Sequence, residues 1–344
     1  TLVKETTTVT EDVSGSLLIS AADGATLKGI RIGGDLILAP GVTKDVTLVD
    51  CVIQGNIRNY GTGEVRFEAP QITPESTATK PSEVYKPGAT LDRTLEYGGK
   101  TVPIYRDRPL NVFSDVDFIW TGEENENQRR LEYLGGEFRT RYGIDVSSFQ
   151  GEIDWDAVAD DNIDFAMVRV GFRGTGTGSL NTDKYYEQNI RGAMRAGLET
   201  GVYFFAQAVT VEEAIEEADY VISLLDGLDI NGPVAYDWEM HDSTYRVYGT
   251  SPEMATACAV AFCERIKDAG YTPMVYGGTY VTYMKYDQGA LADYLSWYPE
   301  YKSEKSEKLC PTLVYHMDYW QFSSSRAVAG INGRVDMNIQ FIRR

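Results

Sequence analysis

Two acidic side chains stand two positions apart at the end of an apolar run, Pro233-Val234-Ala235-Tyr236-Asp237-Trp238-Glu239-Met240. The run predicts a buried strand, and side chains at positions i and i+2 of a strand leave the same face. Asp237 and Glu239 are therefore expected to project together, with their Cα atoms roughly 6.6 Å apart. Neighbouring carboxylates disfavour each other's ionisation, so one group can keep a proton while the other is an anion. Such a pair is suited to acid-assisted cleavage of a glycosidic bond; the alternative interpretation is two surface acids where a strand enters solvent.

The elements that must position these acids form an alternating series of strands and helices from Tyr142 onward. Alternation of this kind predicts a parallel sheet. The predicted strands are 144–147, 165–171, 201–207, 234–239, 274–277, 295–298, 314–321 and 335–341, and the predicted helices are 155–160, 185–196, 211–225 and 252–269. The last three strands leave little room for helices between them. We therefore expect an α/β fold, an irregular closed (β/α)-barrel of roughly five β/α units followed by three strands.

In a parallel barrel the active site lies where the strands end. Asp145 lies on the first predicted strand, Asp237 and Glu239 end the fourth, and Asp336 starts or lies within the last. The last strand must neighbour the first once the barrel closes. The sequence thus predicts four acids at one mouth, although Asp336 could instead be a turn or cap acid beside Gly333.

A glycan groove needs aromatic platforms beside polar side chains, because sugars present apolar faces and hydroxyl edges. Strand alternation puts Tyr236 and Trp238 on the face opposite the acids, so Trp238 is expected to pack rather than to contact a ligand. Arg169 lies inside an apolar run and is expected to pair with one of the four acids. The predicted substrate-binding residues are Tyr203, Phe205, Tyr276, Trp297, Trp320, Gln321 and Arg169.

Several separate motifs resemble those of the family 25 glycoside hydrolases, the lysozyme-like N-acetylmuramidases. They are Tyr142-Gly143-Ile144-Asp145-Val146-Ser147-Ser148-Phe149-Gln150-Gly151, Ile153-Asp154-Trp155, Tyr236-Asp237-Trp238-Glu239, Tyr319-Trp320-Gln321-Phe322 and Gly333-Arg334-Val335-Asp336-Met337-Asn338. The resemblance covers about 142–341 and says nothing about residues 1–140. It implies an irregular barrel of the kind described above.

The resemblance also implies roles for the acids. Glu239 matches the family's general acid, and Asp237 matches the partner that stabilises positive charge or orients the acetamido group of the substrate. Asp145 and Asp336 match supporting positions, whereas Asp183 fits the pattern but could equally cap the helix that follows it. His241 and its neighbour Asp242 could form a proton relay beside Glu239, or they could simply be loop residues on the rim of the site.

The implied reaction is hydrolysis of the β-1,4 bond between N-acetylmuramic acid and N-acetylglucosamine in peptidoglycan glycan strands. Because peptidoglycan lies in the cell wall, the resemblance also implies an enzyme that is secreted or associated with the cell wall. Retention and inversion at the anomeric carbon both remain open. Two alternatives are a non-catalytic glycan-binding surface protein and a hydrolase of another N-acetylated polymer such as chitin.

Composition limits the partners of the chain. A net charge of −19 over 344 residues makes a nucleic-acid partner improbable, because phosphate binding needs clustered Lys and Arg. No apolar run approaches the roughly 18 residues of a membrane span. The four cysteines lack metal-ligand spacing and there are only two histidines, so we expect neither a metal nor another cofactor. We expect a monomer, and we interpret a chain that starts at Thr1 as a processed product.

The region before the barrel carries an internal repeat of about 20 residues, which is visible in Ser14-Gly15-Ser16-Leu17-Leu18-Ile19, Gly33-Gly34-Asp35-Leu36-Ile37-Leu38 and Gln54-Gly55-Asn56-Ile57-Arg58-Asn59. Short strands at that period predict a small β-solenoid-like domain over 1–69, with a β-sandwich as the alternative. A Pro-, Ser- and Thr-rich linker is predicted over 70–90. Residues 91–140 are expected to form a hairpin that turns at Gly98-Gly99 and a connecting segment, before the barrel over 141–344.

Overall fold

The computed structural model describes residues 2–4, 8–49, 51–53, 57–68, 79–122 and 129–344. The chain divides into two compact units, Thr1–Thr77 and Ala78–Arg344. Three parts of the sequence predictions lie outside the described residues: the repeat segment Gln54-Gly55-Asn56, residues 70–78 of the predicted linker, and residues 123–128.

The N-terminal unit consists of ten short strands that pair only in parallel within the described residues. Two four-stranded sheets have the orders β1-β3-β6-β9 and β10-β7-β4-β2, and β5 pairs with β8. The strands are β1 Leu2–Val3, β2 Thr8–Val9, β3 Leu17–Ile19, β4 Ala25–Lys28, β5 Arg31–Ile32, β6 Leu36–Leu38, β7 Val46–Val49, β8 Val52–Ile53, β9 Ile57–Asn59 and β10 Val65–Glu68.

The sequence repeat sets the register of these strands. Leu17 pairs with Leu36 and Leu36 with Ile57, so each layer advances by about 20 residues. Leu17, Leu36 and Leu48 are completely or almost completely buried in the interior of the unit. Equivalent residues of successive repeats therefore stack in register and build an apolar core, and Ile57, on the last strand of its sheet, remains 39% exposed.

The described residues of the second unit form thirteen strands and six helices. Its strands are β11 Thr90–Tyr97, β12 Lys100–Tyr105, β13 Phe118–Thr121, β14 Arg130–Tyr133, β15 Phe138–Val146, β16 Phe165–Arg173, β17 Leu180–Thr182, β18 Glu199–Ala206, β19 Val234–Trp238, β20 Pro273–Tyr276, β21 Leu295–Pro299, β22 Tyr319–Arg326 and β23 Val335–Arg343. Its helices are α1 Pro81–Val84, α2 Trp155–Asp160, α3 Tyr186–Arg195, α4 Val211–Leu224, α5 Pro252–Asp268 and α6 Thr279–Met284, and Asp115–Asp117 forms a 3-10 turn.

Eight of these strands close into a barrel with the order β15-β23-β22-β21-β20-β19-β18-β16, and β16 pairs back with β15. Barrel strands β15, β16 and β18 to β22 run parallel, whereas β23 runs antiparallel to both of its neighbours. Helices α2 to α6 lie in the connections as far as β21. Residues 300–318 and 327–334 connect the last strands without a helix. The expected closed barrel with few helices is thus confirmed.

Some predicted bounds differ from the structure. Helix α6 was not predicted, and β22 begins at Tyr319 rather than at Val314. Helix α5 begins as expected after Ser251, whose side chain accepts a hydrogen bond of 3.2 Å from the Met254 N–H. Cys258 and Cys263 are buried in α5, and all four cysteines are free.

Residues 79–122 and 129–140, which we call the accessory segment, pack on the barrel. Part of this segment was predicted to be linker, but α1 packs against α5, and Val84 and Tyr85 contact the barrel core. The β11–β12 hairpin turns at Gly98 and Gly99 as predicted, with φ of +57° and +73°, values that favour glycine. The accessory segment therefore belongs to the same folding unit as the barrel.

Candidate active site

The strand ends bring four acids together. Asp145 is the next-to-last residue of β15, Asp237 lies in β19, and Glu239 directly follows β19. Asp336 is the second residue of β23, and because this strand runs antiparallel its beginning lies at the same end of the barrel. Asp145 and Asp336 are direct partners in the β15–β23 register.

A cavity of about 340 Å³ opens above the acids, within the range of roughly 300–1,000 Å³ that is usual for small-molecule sites. Its lining includes every predicted site residue except Trp320. The lining residues are Asp145, Ser147, Phe149, Gln150, Arg169, Tyr203, Phe205, Asp237, Glu239, Tyr276, Trp297, Tyr301, Gln321 and Asp336.

Two amides hold the carboxylates of Asp145 and Asp336. Gln321 Nε2 donates to Asp145 Oδ2 at 2.9 Å and to Asp336 Oδ2 at 3.2 Å. Asn338 Nδ2 donates to Asp145 Oδ2 at 2.8 Å. The Tyr276 hydroxyl donates to Gln321 Oε1 at 3.2 Å, which orients the amide so that its NH₂ group faces the acids.

Burial and mutual repulsion raise the pKa values of three of the acids. The pKa of Asp237 lies well above its ordinary value, because the group is desolvated and because Glu239 and Asp145 are close. Desolvation and the same kind of repulsion raise the pKa of Asp336 to about 8. Desolvation raises the pKa of Asp145 to about 6, with hydrogen bonds from Gln321 and Asn338 acting in the opposite direction. The cluster therefore retains protons near neutral pH.

Glu239 is the acid at the edge of the cluster, with 24% of its side chain exposed. Its Oε2 lies 2.6 Å from Nε2 of His241, a side chain that is 63% exposed. Its main-chain oxygen accepts a hydrogen bond of 2.8 Å from Nε2 of the buried Gln207. The main chain of Glu239 is thus held in place, while its carboxyl group remains partly exposed to solvent. His241 lies on the rim of the cavity and contacts this carboxyl group directly.

The prediction that Arg169 pairs with one of the four acids is wrong. Its guanidinium forms an ion pair of 2.8 Å with the buried Asp183. Asp183 also accepts hydrogen bonds from the N–H groups of Ser148 and Tyr185, at 2.9 and 3.0 Å. Asp183 therefore ties β16 to the loop after β15 and to the start of α3, and Arg169 reaches the cavity wall beside Phe149.

Trp320 does not line the cavity, which corrects its predicted role. It is fully buried on the outer side of the barrel, where its ring packs edge-on at 5.3 Å from Phe118 and its Nε1 donates to Glu300 O at 3.0 Å. Successive residues of a strand face opposite sides, so Gln321 enters the cavity and Trp320 cannot. The same alternation puts Tyr236 and Trp238 in the outer core, as predicted.

Trp297 forms part of the cavity wall with its ring edge-on to Tyr203 and Tyr276, at 5.8 and 4.9 Å between ring centroids. Its Nε1 donates to Asn338 Oδ1 at 2.8 Å. Apolar side chains continue below it into the barrel interior, among them Met167. Trp297, Tyr203 and Tyr276 thus lie between the acid cluster and the apolar interior of the barrel, and they contact both.

Sequence reasoning missed several lining or supporting residues. Asn338 stands two positions after Asp336 on one strand, so the period-two rule would have found it. Phe149 is 85% exposed and follows Asp145 within the same motif. Tyr301 lies beyond the end of β21, where periodicity gives no signal.

Among the described residues, no group of three or more His, Cys, Asp or Glu side chains is arranged to hold a metal ion. No helix in the described part of the chain is long and apolar enough to cross a membrane.

Comparisons with known proteins agree with this geometry. The "Autolytic lysozyme" of Clostridium acetobutylicum is 26% identical over 197 residues, which are 57% of this chain and 54% of that protein. "Lysozyme M1" of Streptomyces globisporus is 27% identical over 201 residues, which are 57% of this chain and 66% of that protein. The chain thus matches between half and two thirds of the length of these relatives.

The crystal structure of the Clostridium perfringens spore cortex lytic enzyme SleM has the same fold. It superposes with a TM-score of 0.50 and 23% identity, covering 58% of this chain and 67% of that chain. The model of the family described as "Glycosyl hydrolases family 25" matches residues 144–331, more than half of the chain and the stretch that holds Asp145, Asp237 and Glu239. The chain belongs to the glycosyl hydrolases of family 25.

Proposed function

We propose that this protein is a lysozyme-type peptidoglycan hydrolase that acts at the cell wall, outside the cell. The observation that supports it most strongly is the cluster of four carboxyl groups, three with raised pKa values, in one aromatic-lined cavity of a family 25 barrel. The proposed reaction is cleavage of the β-1,4 bond between N-acetylmuramic acid and N-acetylglucosamine.

Glu239 is the proposed general acid. Its partly exposed carboxyl group at the cavity edge can approach the leaving glycosidic oxygen, whereas Asp145 is 7% exposed and already accepts two amide hydrogen bonds. Asp237 lies on the strand that Glu239 follows, and the nearby Glu239 helps to raise the pKa of Asp237 well above its ordinary value.

Asp237 is the proposed electrostatic and orienting partner. The side chain is buried, and its Oδ1 has no hydrogen-bond partner among the described residues. A buried carboxyl oxygen on a cavity wall is suited to accept a hydrogen bond from the substrate's acetamido N–H and to stabilise positive charge at the anomeric carbon. Asp145 and Asp336 would then supply supporting electrostatics.

The proposed sugar contacts are the cavity-lining residues Tyr203, Phe205, Tyr276, Trp297, Gln321 and Arg169. The barrel is interpreted as an irregular (β/α)-barrel and the N-terminal unit as a parallel β-solenoid, a spacer or wall-anchoring module. The stacked parallel register of Leu17, Leu36 and Ile57 supports the solenoid interpretation.

The test is mass spectrometry of fragments released from purified peptidoglycan, with borohydride reduction to identify the new reducing sugar. Wild type is expected to give reduced muramic acid ends, and Glu239→Gln is expected to release fragments at least about 10² times more slowly. Asp242→Asn is the matched control, because Asp242 is an exposed rim acid that accepts hydrogen bonds from Thr244.

Four results would contradict the proposal in different ways. Reduced glucosamine ends would indicate another glycosidase. Release of fragments from chitin but not from peptidoglycan would indicate a different polymer. Binding of the polymer without any released fragment would indicate a non-catalytic protein, and full activity of Glu239→Gln would remove Glu239 from its role.

A further inference from the structure

A second cavity, of about 410 Å³, adjoins the cavity of the acids. Glu239, Tyr276 and Tyr301 line both cavities, so the two meet at the proposed general acid. The second cavity is lined by Tyr97, Glu239, Met240, His241, Tyr276, Gly278, Thr279, Tyr280, Val281, Pro299 and Tyr301.

Tyr97 comes from outside the region that the family model matches. It is the last residue of β11, immediately before the Gly98-Gly99 turn, and is half-buried. Its ring packs at 5.2 Å from the ring of Tyr283 in α6. The tip of an accessory hairpin thus forms one wall of a cavity that contains Glu239.

The base of this hairpin is anchored, which fixes the position of its tip. The Gly88 N–H donates to Asp287 Oδ2 at 2.9 Å, and the Tyr105 N–H donates to the hydroxyl oxygen of Tyr315 at 3.1 Å. A Cβ atom at Gly88 would lie only 2.4 Å from the Gly289 Cα, so the two backbones are in close contact. A preorganised wall loses little conformational entropy when a ligand binds.

The chemistry of the lining favours an uncharged sugar ring. Four of the lining side chains are tyrosines, which stack on the apolar face of a pyranose and hydrogen-bond to its hydroxyl edge. The lining contains no Lys or Arg, and His241 is already in contact with Glu239. An acidic peptide would meet no Lys or Arg side chain there, and it would lie beside the carboxyl group of Glu239.

We propose that the β11–β12 hairpin extends the glycan groove and that Tyr97 is a specificity-determining platform for an additional neutral sugar ring of the substrate. This inference rests on the proposed function. The glycan passes through both cavities, with Glu239 at their junction, and the hairpin makes the enzyme prefer longer chains.

The test compares kcat/KM of wild type, Tyr97→Ala and Tyr97→Phe on purified peptide-free peptidoglycan oligosaccharides, one short and one longer by two disaccharide units. Tyr97→Ala is expected to lower kcat/KM for the longer chain about tenfold more than for the shorter one, because one aromatic stacking contact is lost. Tyr97→Phe keeps the ring and is expected to retain most of the preference for the longer chain.

Glu96→Ala is the matched control, because the exposed Glu96 contacts Thr101 on the hairpin and does not line the cavity. Circular dichroism and the thermal midpoint establish that each variant is folded. In the Glu239→Gln background, calorimetric affinity for the longer chain is expected to fall about tenfold when Tyr97→Ala is added.

Each outcome has a separate meaning. If wild type cleaves both oligosaccharides but Tyr97→Ala lowers kcat/KM equally for the two, or for neither, the inference is overturned while the proposed function stands. If Tyr97→Ala affects only fragments that carry stem peptides, the cavity is a peptide site and the inference is overturned. If wild type cleaves no glycan, the proposed function itself fails.

Discussion

At the scale of single residues, the acid cluster imposes a cost on the folded protein that grows with pH. The pKa of Asp336 is about 8 in the folded chain, against an ordinary value of 3.8. Between these two values the folded state holds a proton that the unfolded state has released. Stability therefore falls as pH rises from about 4 to about 8, and the cost is fully present above the folded pKa.

Asp336→Asn is expected to remove this pH dependence. An amide has nearly the same shape as the protonated acid, so the free energy of unfolding should change little at pH 4 and rise by about 1–2 kcal/mol at pH 8. Urea titrations at the two pH values measure the difference. The same substitution at the exposed Asp92 is the control, and an equal shift at both sites would show that burial of Asp336 is not the cause.

At the scale of elements, a buried ion pair joins the end of β16 to α4. Arg173 Nε lies 2.7 Å from Glu217 Oε1, and Glu217 is completely buried. Burial raises the pKa of Glu217 to about 7, although the Arg173 guanidinium acts in the opposite direction. Glu217 Oε1 also accepts the N–H of Gln207, whose side chain holds the main-chain oxygen of Glu239. The pair thus supports the backbone that carries the proposed acid.

Glu217→Ala is expected to lower the free energy of unfolding by about 3 kcal/mol, because it removes the buried carboxyl partner of Arg173 and leaves it only the largely exposed Glu216 as an ion-pair partner. Glu187→Ala breaks the exposed pair with Arg191 in α3 and should cost at most about 0.5 kcal/mol. Guanidinium titrations compare the two variants. Similar small losses in both would mean that the buried pair does not stabilise the fold.

At the scale of the whole molecule, the accessory segment and the barrel share one apolar core. The Phe113 ring lies 4.4 Å from that of Phe341 in β23, and Phe118 covers Trp320. Buried Arg108 donates to the carbonyl oxygens of Leu291 and Tyr294, at 2.8 and 3.3 Å. Removing the segment would expose these aromatic rings to water.

Two truncations are expected to behave differently. A protein truncated to residues 78–344 keeps one compact unit, so it should keep the thermal midpoint and the activity on soluble glycan fragments. If the N-terminal unit anchors the enzyme, this truncated protein should be retained more weakly on intact walls. Residues 141–344 should aggregate or melt at least about 10 °C lower, because part of the barrel surface loses its apolar cover. Thermal melts and sedimentation measure this, and a stable 141–344 chain would contradict the shared core.

Local sequence patterns were enough to predict most of the barrel strands, helices α2 to α5 and the two faces of the strand that carries Asp237. The spacing of Asp237 and Glu239 and the opposite direction of Trp238 follow from the period of two in a strand, a local rule that needs no partner. The end of the first strand likewise predicted that Asp145 reaches the mouth. Asp336 starts the last strand and reaches the same mouth because β23 runs antiparallel, a direction that the sequence did not predict. The 20-residue repeat also fixed the parallel register of the first unit.

Only the tertiary structure decided which side chains meet across strands. The choice of Asp183 as the partner of Arg169, the amide bonds of Gln321 to two acids and the outward side of Trp320 depend on barrel closure and strand register, which sequence spacing does not encode. The same holds for Tyr97, which is 142 positions before Glu239 in the chain and lines the same cavity. Such long-range contacts form only when the accessory segment packs on the barrel and buries its apolar side chains.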